Sequence, residues 1–321
     1  MQPHSSDNTT HEGVGGQVGR YSSLDFYARQ VVEGYITGRH RSPFHGFSVE
    51  FADYRQYNTG ESTRHIDWRL YGRTDRLYVK NYEEETNLRC YVLIDSSRSM
   101  WFPVDQMANF TRPNKLTFAA CSAAVLVEML YRQRDAFALT LFDQETILQT
   151  ECRSNALHRK YIMEQLDELL IQKSVKQQAQ QETNVAQTLH SMAEKMHRRS
   201  LVVLFTDALT DATRFDDILE ALRHVRHNRH EVILFHTLDN RHETELQYGA
   251  RPHRFIDLES GKTINLNPVN VAKSYTTAMN ECRQRLIEQA MQYHIEYVGV
   301  DIEKGIHPVL LPFLLYRNKI R

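Results

Sequence analysis

Tyr91-Val-Leu-Ile94-Asp95-Ser-Ser97-Arg-Ser99-Met100 sets an apolar run directly against a loop of oxygen-bearing side chains. An apolar run without polar alternation predicts a strand buried on both faces, as in a parallel sheet. Asp95 stands where that strand ends. The pattern recurs at Leu201-Val-Val-Leu-Phe205-Thr-Asp207, so a second carboxylate leaves the end of a second buried strand. In open α/β sheets, ligands gather outside such strand ends.

A chain leaving the strand as a loop can aim Asp95, Ser97 and Ser99 at one point. A third fragment, Glu-Thr183-Asn-Val-Ala, adds a hydroxyl. Together Asp95, Ser97, Ser99, Thr183 and Asp207 offer only oxygen, which suits a hard cation, Mg2+ or Mn2+, rather than zinc. Neutral hydroxyls leave residual positive charge on such an ion, and octahedral geometry leaves a position for water or an incoming carboxylate. Arg98 lies inside the first loop; folded inward, it would compete with the cation.

Outward from these fragments the chain alternates. Strands are expected at 88–94, 137–142, 201–206, 232–237 and 295–301, with helices at 114–133, 156–170, 183–197 and 213–229. This order predicts an α/β fold with a mostly parallel sheet and helices on both faces. Ser-Gly261 supplies the turn of a hairpin expected at 254–266, and a long amphipathic segment follows over 271–294. Residues 1–20 are rich in Ser, Gly, His and Asn and read as a flexible tail. Residues 21–87 form a separate N-terminal segment with a helix from Tyr21 and strands at 47–51 and 77–82, and 88–321 form the α/β domain. The polar run at 172–181 precedes Thr183 and reads as a mobile loop.

The chain has 321 residues, 41% of them hydrophobic, and a formal charge of −1, which gives no field to attract nucleic acid. No apolar run reaches the length of a membrane span, and the polar start is unlike a signal peptide, so a cytoplasmic protein without membrane insertion is expected. Cys90, Cys121, Cys152 and Cys282 lie far apart and read as free thiols.

The three oxygen-bearing fragments resemble the metal-ion-dependent adhesion site of the von Willebrand factor A-like domain. The resemblance implies a Rossmann-like fold, Mg2+ held by Asp95, Ser97, Ser99, Thr183 and Asp207, and a partner carboxylate completing the shell. The preceding stretch narrows the likeness. Gly46-Phe-Ser-Val-Glu-Phe51, Asp53-Tyr-Arg55-Gln-Tyr57, Gly60-Glu-Ser-Thr-Arg64-His-Ile-Asp67-Trp68 and Lys80-Asn-Tyr-Glu-Glu84 resemble the signature of the bacterial domain-of-unknown-function 58 family. The resemblance implies an adaptor or co-chaperone that links a MoxR-type AAA+ ATPase to a client protein.

Trp101 and Phe102, beside the first loop, are candidate apolar anchors for a partner, with Arg98 as a further candidate partner contact. Arg55, Arg64, Asp67 and Trp68 read as a structural ion-pair network at a junction. The rival function is a metal-dependent phosphohydrolase with Asp95 as nucleophile. That chemistry wants a second aspartate two residues on, where this chain has Ser97. No Gly-x4-Gly-Lys-Ser/Thr loop is present, which argues against intrinsic ATP hydrolysis.

Overall fold

The computed structural model describes residues 23–37, 51–57, 66–82, 88–104, 110–143, 145–171, 185–208, 212–227, 229–258, 261–310 and 312. Its elements fall into two compact units, one made of 1–35 with 88–321 and the other of 36–87.

The larger unit is built on a six-stranded sheet. In chain order it contains α1 (Ser23–Thr37, its last two residues grouped with the smaller unit), then β1 (Arg89–Asp95), α2 (Lys115–Arg132), β2 (Ala136–Phe142) and β3 (Thr146–Gln149). It continues with α3 (Ala156–Ile171), α4 (Val185–Lys195), β4 (Leu201–Thr206), α5 (Ala212–His227) and β5 (Glu231–Leu238). The chain then forms the hairpin β6 (His253–Ile256) and β7 (Thr263–Leu266), the long helix α6 (Pro268–Gln292) and β8 (Glu296–Asp301). The sheet order is β8-β5-β4-β1-β2-β3. Every neighbouring pair is parallel except β2 and β3.

Burial explains why β1 and β4 are strands. Val92, Leu93 and Ile94 of β1, and every residue of β4, lie out of solvent, so both faces are covered by helices. The expected mostly parallel α/β sheet with flanking helices is the observed architecture. β3 departs from the expectation. It is a short antiparallel strand on the sheet edge, mostly exposed, so burial leaves little hydrophobic pattern to read.

The order places a topological switch between β1 and β4. From β1 the chain moves by α2 to β2 on one side, then crosses back to β4 on the other. The crevice at such a switch is where α/β sheets hold ligands.

Helix α1 closes the larger unit. It buries Leu24, Ala28, Val31, Val32 and Tyr35 on one face. Asp25 pairs with Arg159 of α3, which also reaches Glu128 of α2 at 2.9 Å. Glu33 meets Arg132 at 3.2 Å.

In the smaller unit, a strand at Phe51–Gln56 pairs antiparallel with one at Tyr78–Tyr82, and a short helix, Trp68–Thr74, lies between them in the chain. The strand expected at 47–51 falls almost wholly outside the described residues. Asp67 caps the short helix, its Oδ1 accepting from the N–H groups of Arg69 and Leu70. Trp68 is 60% exposed and meets Tyr71 edge-on, so it does not stand in the buried network expected of it. The backbone of Arg55 pairs with Val79; Arg64 lies outside the described residues.

In the hairpin, β6 and β7 pair from His253 with Leu266 to Ile256 with Thr263. Gly261 takes the left-handed φ of 69° that its turn requires. All four cysteines are free. Among the described residues, no helix is long and apolar enough to cross a membrane.

Candidate metal centre

Asp95 is the last residue of β1, and Asp207 follows the last residue of the adjoining β4, with Ile94 in register with Phe205. The two carboxylates therefore leave the sheet side by side at its switch point. Both are buried, at 2% exposure each. The Asp95 Oδ1 accepts from the N–H of Ser97 at 2.9 Å, and its Oδ2 accepts from the Thr206 hydroxyl at 2.7 Å. Ser97 and Ser99 bring their hydroxyl oxygens within 3.1 Å of each other.

The loop is tied down on the far side. Both the N–H and the hydroxyl of Ser96 donate to the carbonyl of Phe142, each at 2.8 Å. The indole of Trp101 donates to the Ser96 carbonyl at 3.2 Å. Trp101 and Phe102, the expected anchors, are each half-buried. Ala208, just past Asp207, holds a left-handed φ of 47°. A residue with a Cβ pays for that conformation, and such strain concentrates at functional turns.

A basic side chain enters the site. Lys115, fully buried at the first residue of α2, places its Nζ 2.7 Å from Asp207 Oδ2 and 2.5 Å from Glu243 Oε1. Glu243 belongs to a π-helical turn, Asn240–Thr244, that follows β5, and its other oxygen accepts from the Asp239 N–H at 2.9 Å. Burial alone would lower the Lys115 pKa, but Asp207 and Glu243 outweigh it and raise the value. Arg98, the cation expected to compete, is half-buried in the 3-10 turn Arg98–Trp101.

His236 of β5 braces the second carboxylate from behind. Its Nε2 lies 2.8 Å from the Asp207 carbonyl and its Nδ1 lies 2.9 Å from the Tyr297 hydroxyl. Burial drives its pKa down to about 4. The neutral ring therefore donates from Nε2 to the carbonyl and accepts at Nδ1 from the tyrosine.

Burial, and then the charge of Asp207, push Asp95 up to about 7 despite its hydrogen bonds. Two carboxylates held this close out of water repel one another, and a cation between them would relieve that. The Lys115 ammonium meets the carboxylates of Asp207 and Glu243, while Asp95 is near enough to Asp207 to feel its charge. The oxygen-only donors and the excess of negative charge fit a hard divalent ion. Thr183 lies outside the described residues. Lys115, Glu243, Thr206 and His236 were not expected from the sequence. One signal was available: a lysine opening an apolar helix, Lys115-Leu-Thr-Phe-Ala-Ala, stands against the helix dipole.

A family model described as "Protein of unknown function DUF58" matches residues 53–285, well over half of the chain. The chain belongs to the DUF58 family. No curated protein matches this DUF58 chain. Among solved structures, it is similar to the conserved hypothetical protein BatB from Bacteroides thetaiotaomicron, at 14% identity and a TM-score of 0.47, over 73% of this chain and 98% of that one. An aerotolerance-related membrane protein from Bacteroides fragilis aligns at 17% identity and a TM-score of 0.42, over 70% of this chain and 98% of that one. The PilB minor pilin from Streptococcus sanguinis aligns at 10% identity and a TM-score of 0.40, over 76% of the DUF58 chain and 64% of the pilin.

Proposed function

We propose that this DUF58 chain is a non-enzymatic, metal-dependent protein-interaction module of von Willebrand factor A type. Asp95, Ser97, Ser99 and Asp207, with Thr183, would hold Mg2+ or Mn2+. The ion's chemistry is to offer a site to a carboxylate from a partner protein. The residues themselves orient that site: Thr206 and the Ser97 N–H fix Asp95, and Lys115 and His236 fix Asp207. The observation that carries the reading is the pair of buried carboxylates at the switch point, beside two serine hydroxyls 3.1 Å apart.

The partner implied by the family resemblance is a MoxR-type AAA+ ATPase, with this chain as its adaptor or co-chaperone toward a client protein. A phosphohydrolase is disfavoured, since position 97 offers a hydroxyl where an acid would be needed.

The test has two arms. Mn2+ titration of the full chain, followed by the spectrum of the free ion, should show binding that Ser97→Ala weakens by about tenfold or more, the usual scale for a lost ligand in a small oxygen site. Affinity capture from lysate of the source organism in Mg2+ and in EDTA, with Ser97→Ala alongside, should recover an AAA+ ATPase only with metal and intact Ser97. Equal recovery in all three samples would remove the ion from the mechanism.

A further inference from the structure

We propose that Lys115 is a tethered counter-ion of this centre, competing with the divalent cation for the charge of Asp207 and Glu243 and so holding metal affinity low. The inference rests on the metal reading above. Lys115 is not a surface lysine that happens to lie nearby: its side chain is fully buried. It opens α2, where the positive end of the helix dipole disfavours a cation. Burial and the dipole both oppose an ammonium here, so the two carboxylates at 2.7 and 2.5 Å are what keep it in place.

The surroundings prevent screening. The Phe102 ring lies 6.0 Å from Nζ, and His242 packs edge-on against Phe102 at 6.1 Å. Glu243 cannot swing away cheaply, because its second oxygen is engaged by the Asp239 N–H. An unscreened positive charge on Asp207 Oδ2 opposes any dication drawn to the same carboxylate. The same ammonium stabilises the metal-free protein by offsetting the repulsion of its acids. It therefore sets the balance between an empty folded site and a loaded one.

The experiment compares the full chain with Lys115→Gln and Lys115→Arg by Mn2+ titration, with folding checked by circular dichroism. Lys115→Gln should bind Mn2+ about tenfold or more tightly than the parent, and Lys115→Arg, which keeps the charge, should stay within about threefold of it. The rise in Tm on adding Mn2+ should also be larger for the Gln variant. A folded Lys115→Gln protein that binds no more tightly than a parent that does bind would overturn this inference alone. Absence of binding in both parent and Gln variant would overturn the metal centre, and this inference with it. Should Lys115→Gln not fold, Glu243→Gln decides. It leaves Asp207 as the ammonium's charged partner and should weaken Mn2+ binding by about threefold or more; unchanged affinity would overturn the proposal.

Discussion

Burial favours the neutral forms of both Asp95 and His236, and so moves their pKa values in opposite directions. Asp95 titrates near 7 in the folded chain against an ordinary 3.8. Across that interval the native state keeps a proton that the unfolded state has released, so this residue costs stability as pH rises from about 4 through 7. His236, lowered to about 4 from 6.5, contributes stability at neutral pH that is lost as pH falls below about 6.5. Asp95→Asn removes the first effect. In EDTA its Tm should exceed the parent's by several degrees near about pH 8 and converge with it near about pH 4, measured by thermal unfolding across the range. A variant no more stable than the parent at the upper end would contradict the charge assignment. The positions of Asp95 and Asp207 at strand ends were readable from the chain because each closes or directly follows an apolar run, with Ser97 and Ser99 in the loop after the first. Lys115 and Glu243 were not, because they are separated by 128 residues, and a lysine beside a helix start ordinarily points to water.

Elements were legible in proportion to their burial. β1 and β4 are buried nearly throughout, and uninterrupted apolar runs announced them; α2 buries most of its residues and was read within a position at each end. The edge strand β3 has no such signal. Helix α1 was foreseen as a helix, but its attachment depends on ion pairs to α2 and α3 far along the chain. Arg159, mostly buried, joins Asp25 of α1 to Glu128 of α2. Arg159→Ala leaves Glu128 with one fewer cation and should cost about 3 kcal/mol in denaturant unfolding; a loss below about 1 kcal/mol would demote the cluster to a solvated contact. Burial on its own would raise the pKa of Asp25, but Arg159 and Arg29 hold it below the ordinary carboxylate range. Its contribution is therefore complete above about pH 4 and disappears as acid reaches the lowered value.

For the molecule as a whole, strand order matters more than any one contact. The switch between β1 and β4 brings together two carboxylates 112 positions apart, since Thr206 lies 111 residues from Asp95. Periodicity announces the strands, but their spatial order is written only in long-range pairing, which is why the sheet's order was not legible. The larger unit also needs its first helix. A chain lacking residues 1–35 would lose the burial of Leu24, Val31, Val32 and Tyr35 and should be destabilised by on the order of 5 kcal/mol. Chemical denaturation of the shortened chain measures this, and unchanged stability would show α1 to be an accessory.

That helix and the rest of its unit are separated in the sequence by residues 36–87. Asp25 must wait for Arg159, 134 residues later. On the ribosome, then, this helix is made well before the elements that seat it: its apolar face stays uncovered while the smaller unit and the first half of the sheet are still being made, a window in which a nascent-chain chaperone has something to hold.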